Sequence, residues 1–265
     1  MLSSLYLILL YINGAVLIPG IFSIIEIFSF LIQNKSLNLW DLNCWILLKQ
    51  LLGINQLTLK GSNLIDKGFI LCNHRSIFDI PFDPYTTEST TVGRIGACLF
   101  GNMASLLGVF SGRGIWFSRG NTDRNQLMNM LLERMNGDKP YNKRMLFYPE
   151  GTRKTYKILH GPDEIKKMIR KGLLKSIYQH KKLPVQLFIT ANKDYPMNLR
   201  TFTARYGVIT ISKVGSPIYP DDYKTFEEFL NAICISWYYL WYMTHSHAWC
   251  IDRVNYQLKL NPFEN

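Results

Sequence analysis

A histidine and an aspartate stand five positions apart in Leu71-Cys72-Asn73-His74-Arg75-Ser76-Ile77-Phe78-Asp79. That pairing of residue types can make a general base. A carboxylate accepting from one ring nitrogen sets the tautomer and leaves the other nitrogen free to take a proton from an alcohol. On one continuous helix five residues turn through about 500°, roughly 140° beyond a full turn, so the two side chains would diverge. They meet only across a bend. A second group follows at Pro149-Glu150-Gly151-Thr152-Arg153. There a glycine permits close backbone approach, a threonine offers a hydroxyl, and a guanidinium presents the planar fork that matches a phosphate.

The elements that must position these groups are strands. Residues 68–72 read as a short buried strand, and Pro81 and Pro84 argue against a regular helix before Pro81. His74 therefore falls just past a strand end, where the chain can turn and return Asp79 to the imidazole. Residues 144–148 read as a second apolar strand, which runs into Pro149-Glu150. Further strands are expected at 57–60, 184–190 and 207–213, and helices at 123–135, 163–178 and 225–233. This alternation predicts an α/β fold with a mixed, mostly parallel sheet flanked by helices, and ligands in such sheets gather beyond the carboxyl ends of the strands. Both groups lie there.

Composition bounds the rest. The chain has 265 residues, 48% of them hydrophobic, and a net charge of +11. It can bury one substantial core, and no linker demands two. The charge suits an anionic partner, whether nucleic acid, a phosphorylated ligand or a membrane surface. Five cysteines, an odd number with no Cys-x-x-Cys pair, indicate neither a disulfide framework nor a zinc site. His245 and His247 sit two apart, on different faces of any helix, so no metal site is expected there either.

Residues 5–25 contain no charge, and the apolar tract runs on past Glu26 to residue 32. That length can cross a bilayer, and Pro19-Gly20 in its middle makes a re-entrant hairpin as plausible as a full span. No Lys or Arg precedes it, which argues against a cleaved signal peptide. The chain accordingly divides into a membrane-anchoring helical segment at 1–50 and a catalytic domain at 51–265. A second uncharged tract, 229–251, is dense in Trp and Tyr. It reads either as an interface belt or as an aromatic helix packed on the domain.

The motifs resemble those of the glycerolipid acyltransferase family, which includes the 1-acylglycerol-3-phosphate acyltransferases. Asn73-His74-Arg75-Ser76-Ile77-Phe78-Asp79 matches its Asn-His-x-x-x-x-Asp block. Tyr148-Pro149-Glu150-Gly151-Thr152-Arg153 matches Phe-Pro-Glu-Gly-Thr-Arg, with Tyr148 in the Phe position. Leu183-Pro184-Val185 and Val214-Gly215-Ser216-Pro217-Ile218 resemble later blocks. The poorest fit is Ile115-Trp116-Phe117-Ser118-Arg119, where the family has Gly-x-x-Phe-x-x-Arg: Trp116 stands for Phe, and Gly114 is one place too close to Arg119.

The resemblance implies transfer of a fatty acyl group from acyl-CoA, or from acyl-carrier protein, to the free hydroxyl of a lysophospholipid. With 1-acylglycerol-3-phosphate as acceptor the product is phosphatidic acid. His74 would be the base and Asp79 its orienting partner. Arg119 and Arg153 would hold the acceptor phosphate, with Gly151 and Thr152 shaping that pocket and Glu150 either positioning the arginines or hydrogen-bonding the glycerol. Acyl-CoA is then a co-substrate, and no further cofactor is implied. No Gly-x-Ser-x-Gly occurs, and Cys72 lies in a buried strand pattern, so no acyl-enzyme is called for. The site of action would be a membrane, that of the endoplasmic reticulum in a eukaryote. The alternatives are a CoA-independent phospholipid–lysophospholipid transacylase, which would use the same dyad, and an inactive lipid-binding relative, which need not keep His74, Asp79, Glu150 and Arg153 together. A nucleic-acid binder would account for the charge but not for the anchor.

Overall fold

The computed structural model describes residues 49–50, 53–76, 79–94, 114–118, 123–139, 142–153, 158–198 and 203–256. The expected anchor at 1–50 lies almost wholly outside them, and Arg119 lies outside them too. No helix among the described residues is long and apolar enough to cross a membrane.

Seven strands form one sheet in the order β1-β9-β6-β2-β5-β3-β4. They are β1 (Asn55–Leu59), β2 (Gly68–Cys72), β3 (Thr90–Arg94), β4 (Gly114–Phe117), β5 (Arg144–Phe147), β6 (Val185–Ala191) and β9 (Ile209–Val214). A small antiparallel pair, β7 (Met197–Asn198) with β8 (Thr203–Ala204), stands apart. Every neighbouring pair in the main sheet is parallel except β6–β9. The sheet is thus mixed and mostly parallel, as the alternation of elements predicts. Five helices accompany it among the described residues: α1 (Asp79–Thr87), α2 (Arg124–Met135), α3 (Pro162–Met168), α4 (Lys171–His180) and α5 (Phe226–Tyr256).

The central strands are buried throughout and largely apolar because both of their faces are covered. β2 and β6 are buried at every position, the pattern of interior parallel strands. Their period of two divides the core. Phe69 and Leu71 face one way with Met145, Phe147, Leu187 and Ile189, under α2, α3, α4 and α5. Ile70 and Cys72 face the other with Leu146, Phe188 and Phe82 of α1.

Five elements differ from the sequence expectation, each for a physical reason. α1 begins at Asp79, ahead of Pro81, and includes Pro84. Pro81 falls in the first turn, where backbone N–H groups have no intrahelical partner, so its missing donor is tolerated. β3 and β4 escape a hydropathy pattern because Thr90-Thr91-Val92-Gly93-Arg94 is half polar. Here Gly93 lies opposite Trp116 in register, and a Cβ at Gly93 would come within 2.7 Å of the indole. The Trp116 departure from the family block is therefore matched by a glycine on the next strand.

The single helix expected at 163–178 is broken between Met168 and Lys171, where Ile169 and Arg170 are extended. The Arg170 N–H donates instead to the Pro149 carbonyl at 2.7 Å. A tertiary hydrogen bond has displaced a helical one. The helix expected at 225–233 runs on to Tyr256, 31 residues in all. It starts at a capping box: the Thr225 hydroxyl accepts from the Glu228 N–H at 3.2 Å, and Glu228 accepts from the Thr225 N–H at 3.3 Å. Its aromatic tract divides between two surfaces. Trp237 and Trp241 are buried on the sheet, while Ile235, Tyr239 and Tyr242 are more than half exposed.

Candidate active site

Parallel pairing of β2 with both β5 and β6 brings three carboxyl ends side by side. The chain leaves β2 through Asn73, whose amide side chain continues the ladder. Its Nδ2 donates to the Thr190 carbonyl at 2.9 Å, and its Oδ1 accepts from the Thr190 N–H at 3.0 Å. That stitch to β6 fixes where His74 begins.

The bend demanded by the five-residue spacing is a loop from Asn73 to Ser76 that closes onto the start of α1. His74 Nδ1 lies 2.9 Å from Asp79 Oδ2. The same oxygen accepts from the Ser76 N–H at 3.0 Å and from the Arg75 N–H. One carboxylate oxygen thus holds both the ring and the loop that presents it. An ionised carboxylate only accepts, so Nδ1 carries the ring proton and Nε2 keeps its lone pair. Asp79 is fully buried, whereas the His74 side chain keeps 17% exposure. The ring stacks on Tyr148 with centroids 4.4 Å apart and planes at 21°. The Tyr148 hydroxyl, which the family's Phe lacks, donates to the Asp79 carbonyl at 2.8 Å.

Glu150 enters from the end of β5. Its Oε2 accepts from the His74 backbone N–H, so this carboxylate positions the histidine. Glu150 is 2% exposed, and its Oε1 has no hydrogen-bond partner among the described residues. Burial pushes its carboxyl up to about 7, against the opposing pull of Arg75 and the His74 N–H. Gly151 follows with φ +69°, and a Cβ there would run into the Arg170 side chain. The loop thus needs glycine on two counts. Thr152 and Arg153 then emerge exposed.

Two charged residues at the centre were missed in the sequence. Lys193, 2% exposed, donates from Nζ to the Asn73 carbonyl at 2.6 Å and to Asp83 Oδ2 at 2.8 Å, and it lies 3.6 Å from Asp79 Oδ1. Asp83 is fully buried. Burial alone would raise the Asp79 carboxyl, but Lys193 and His74 together hold it below the usual carboxylate range. Asp83 is pushed up to about 7 by burial, with Lys193 opposing and Asp79 adding to the rise. The one available signal for Lys193 was its place two residues beyond a wholly buried strand, at the ligand-binding edge of the sheet.

The arrangement supplies a base lone pair on a partly exposed ring, a buried anion to stabilise that ring when it is protonated, and an adjoining exposed loop with a hydroxyl and a guanidinium. It can deprotonate a hydroxyl held at its mouth. Among the described residues no group of histidine, cysteine or carboxylate side chains could hold a metal ion.

A family model described as Acyltransferase matches residues 56–220, which span β1 to β9 and include both motifs. A search of the curated proteins finds no match. Among solved structures, the chain is similar to the crystal structure of the 1-acyl-sn-glycerophosphate (LPA) acyltransferase PlsC from Thermotoga maritima. The TM-score is 0.63 at 14% identity, over 93% of this chain and 95% of that one. At that identity the likeness is one of fold.

Proposed function

The chain belongs to the acyltransferase family, and on that premise we propose that it carries a fatty acyl group from acyl-CoA to the free hydroxyl of 1-acylglycerol-3-phosphate at a membrane surface. The observation that carries this reading is the 2.9 Å contact between His74 and the buried Asp79, with Glu150 on the histidine's own amide.

In the proposed reaction His74 Nε2 takes the hydroxyl proton as the acceptor oxygen attacks the thioester carbonyl. Asp79 stabilises the imidazolium that forms. The tetrahedral adduct collapses with cleavage of the C–S bond, and the proton passes from His74 to the departing thiolate. An ester and a free thiol result. The exposed Arg153 and Thr152 meet the acceptor phosphate, and Arg119 is assigned the same partner from the motif alone. The PlsC named above acts on the same acceptor class by its description, which supports the choice of acceptor. The uncharged tract at 5–25 and the exposed face of α5 at Ile235, Tyr239 and Tyr242 support a site of action at a lipid surface.

The test is acyl transfer by the full chain in detergent, with one labelled acyl-CoA and a panel of lysophospholipids. Label is expected to enter a diacyl product fastest with lysophosphatidate. Transfer from a labelled diacyl phospholipid without any acyl-CoA would move the reading to transacylation, and no labelled product with any acceptor would overturn it. Removal of residues 1–33 is expected to weaken carbonate-resistant membrane association; equal association of the truncated chain would remove the anchor.

A further inference from the structure

The carboxylate that orients His74 has a second partner on its other side. We propose that Lys193 is a positioning residue of this site, a buried cation that keeps Asp79 ionised and in place behind His74; the proposal rests on the reading of His74 as the base.

β6 delivers the lysine. Its seven residues are all buried, and the next, Asn192, turns the chain in the left-handed region at φ +63°. Lys193 is thereby sent back beneath the end of β2. An ammonium has three protons to donate, and three oxygens stand around this one: Asn73 O at 2.6 Å, Asp83 Oδ2 at 2.8 Å and Asp79 Oδ1 at 3.6 Å. They come from two elements. Asn73 is the last residue before His74, and Asp79 and Asp83 are one helical turn apart on a single face of α1. A single cation therefore clamps the strand end to the helix that carries the orienting carboxylate, while Asp79 Oδ2 remains on the ring.

The charges around the cluster make this clamp electrostatic as well as steric. Burial would lower the lysine, but Asp79 and Asp83 outweigh it and raise it, so it stays charged. Arg75 faces Glu150 and Asp194. Cys72, at the end of β2, and Tyr148, beyond β5, are both pushed well up, chiefly by burial, and stay neutral. Two carboxylates thus share the ammonium. Of the two, Asp79 is held below the usual carboxylate range and Asp83 is pushed up to about 7. Take the ammonium away, and the pair behind His74 becomes more negative by one charge. Protons then bind it more tightly, and the dyad stays protonated to higher pH.

That shift in proton affinity separates a positioning role from a merely structural one. The full-length variants Lys193→Met and Lys193→Gln remove the charge, the second keeping hydrogen-bond donors where the first fails to fold. Lys193→Arg keeps the charge. The measurements are the pH dependence of kcat and kcat/KM for acyl transfer and, with no substrate present, the histidine-labelled NMR titration of the His74–Asp79 pair. Both neutral variants are expected to move the acid limb and the pair's titration upward by on the order of one pH unit. At pH 7 they should lower kcat roughly tenfold with little change in acceptor KM. Lys193→Arg should restore the limb. Neutral variants that lose stability while limb and titration stay at their wild-type positions would reduce Lys193 to a structural residue and overturn the proposal. A shifted titration in a protein with no acyl transfer even as wild type would sustain the positioning role and sink the reaction assigned to it.

Discussion

His74 stands at the end of a strand and Asp79 at the start of a helix, so their contact joins two elements instead of spanning one. This division predicts different outcomes for the two residues. His74→Ala removes a partly exposed ring whose own hydrogen bond is to a carboxylate held independently by the Arg75 and Ser76 amides. Acyl transfer is expected to fall by at least about 10²–10⁴-fold, the usual worth of a general base, with circular dichroism and unfolding midpoint near those of the wild type. Asp79→Asn should lose activity because an amide cannot stabilise the imidazolium. It should also lose roughly 1–3 kcal/mol of stability, because Lys193 and three N–H donors would then face a neutral side chain. A near-normal turnover in His74→Ala would rule out the base assignment, and an unchanged urea midpoint in Asp79→Asn would contradict the second role.

Between β5 and α3 the chain makes a turn that favours glycine. Gly151 has φ +69°, and the Arg170 side chain occupies the space a Cβ would need. Arg170 itself sits in the extended break between α3 and α4, tied by its N–H to the Pro149 carbonyl. The loop bearing Thr152 and Arg153 is therefore shaped by an element far along the chain. Gly151→Ala is expected to cost about 1–2 kcal/mol from backbone strain, with the Arg170 contact adding to it. Its kinetic signature should be a raised acceptor KM with kcat less affected, because Glu150 and the dyad precede the strained residue. A two-substrate kinetic matrix checks this, and a rise confined to the acyl-CoA KM would place the loop at the donor instead.

The buried titratable groups act on the stability of the whole molecule in opposite directions. Asp83 and Glu150 are pushed up to about 7 by burial, whereas unfolded carboxyls titrate near ~4. Their contribution is fully present below about pH 4 and is lost as pH rises toward 7, at no more than ~1.4 kcal/mol per pH unit for each group. His245 on α5 runs the other way. Burial, aided by Arg75, depresses its ring to about 3, so stability present above its unfolded value of ~6.5 is lost as pH falls toward 3. The lowered Asp79 carboxyl adds to that acid loss. Asp83→Asn keeps the shape and removes one ionisable proton, so urea-derived stability should fall less steeply between pH 5 and 8 than in the wild type. Parallel curves for the two proteins would show that Asp83 does not titrate in that window.

Much of this protein could be read from local pattern. The strand at 68–72 needs only its run of apolar residues, and its structural bounds, Gly68–Cys72, agree to the residue. His74 and Glu150 are legible because residues that follow buried parallel strands sit where ligands collect. The helices α1 and α5 and the broken helix at 163–178 were obscured because their limits depend on contacts outside the segment. A first-turn proline, a two-faced apolar helix and a hydrogen bond from Arg170 to Pro149 each override the local signal. Strands β3 and β4 fit the sheet because Gly93 makes room for Trp116, which no hydropathy pattern records. Lys193 is the clearest case. In sequence it is one of 30 lysines and arginines in a chain of charge +11, and only its place shortly after a strand distinguishes it from a solvated one. Its burial against Asp79 and Asp83 arises only when β6 is placed beside β2, because a charge's environment is set by which distant elements surround it and not by its neighbours along the chain.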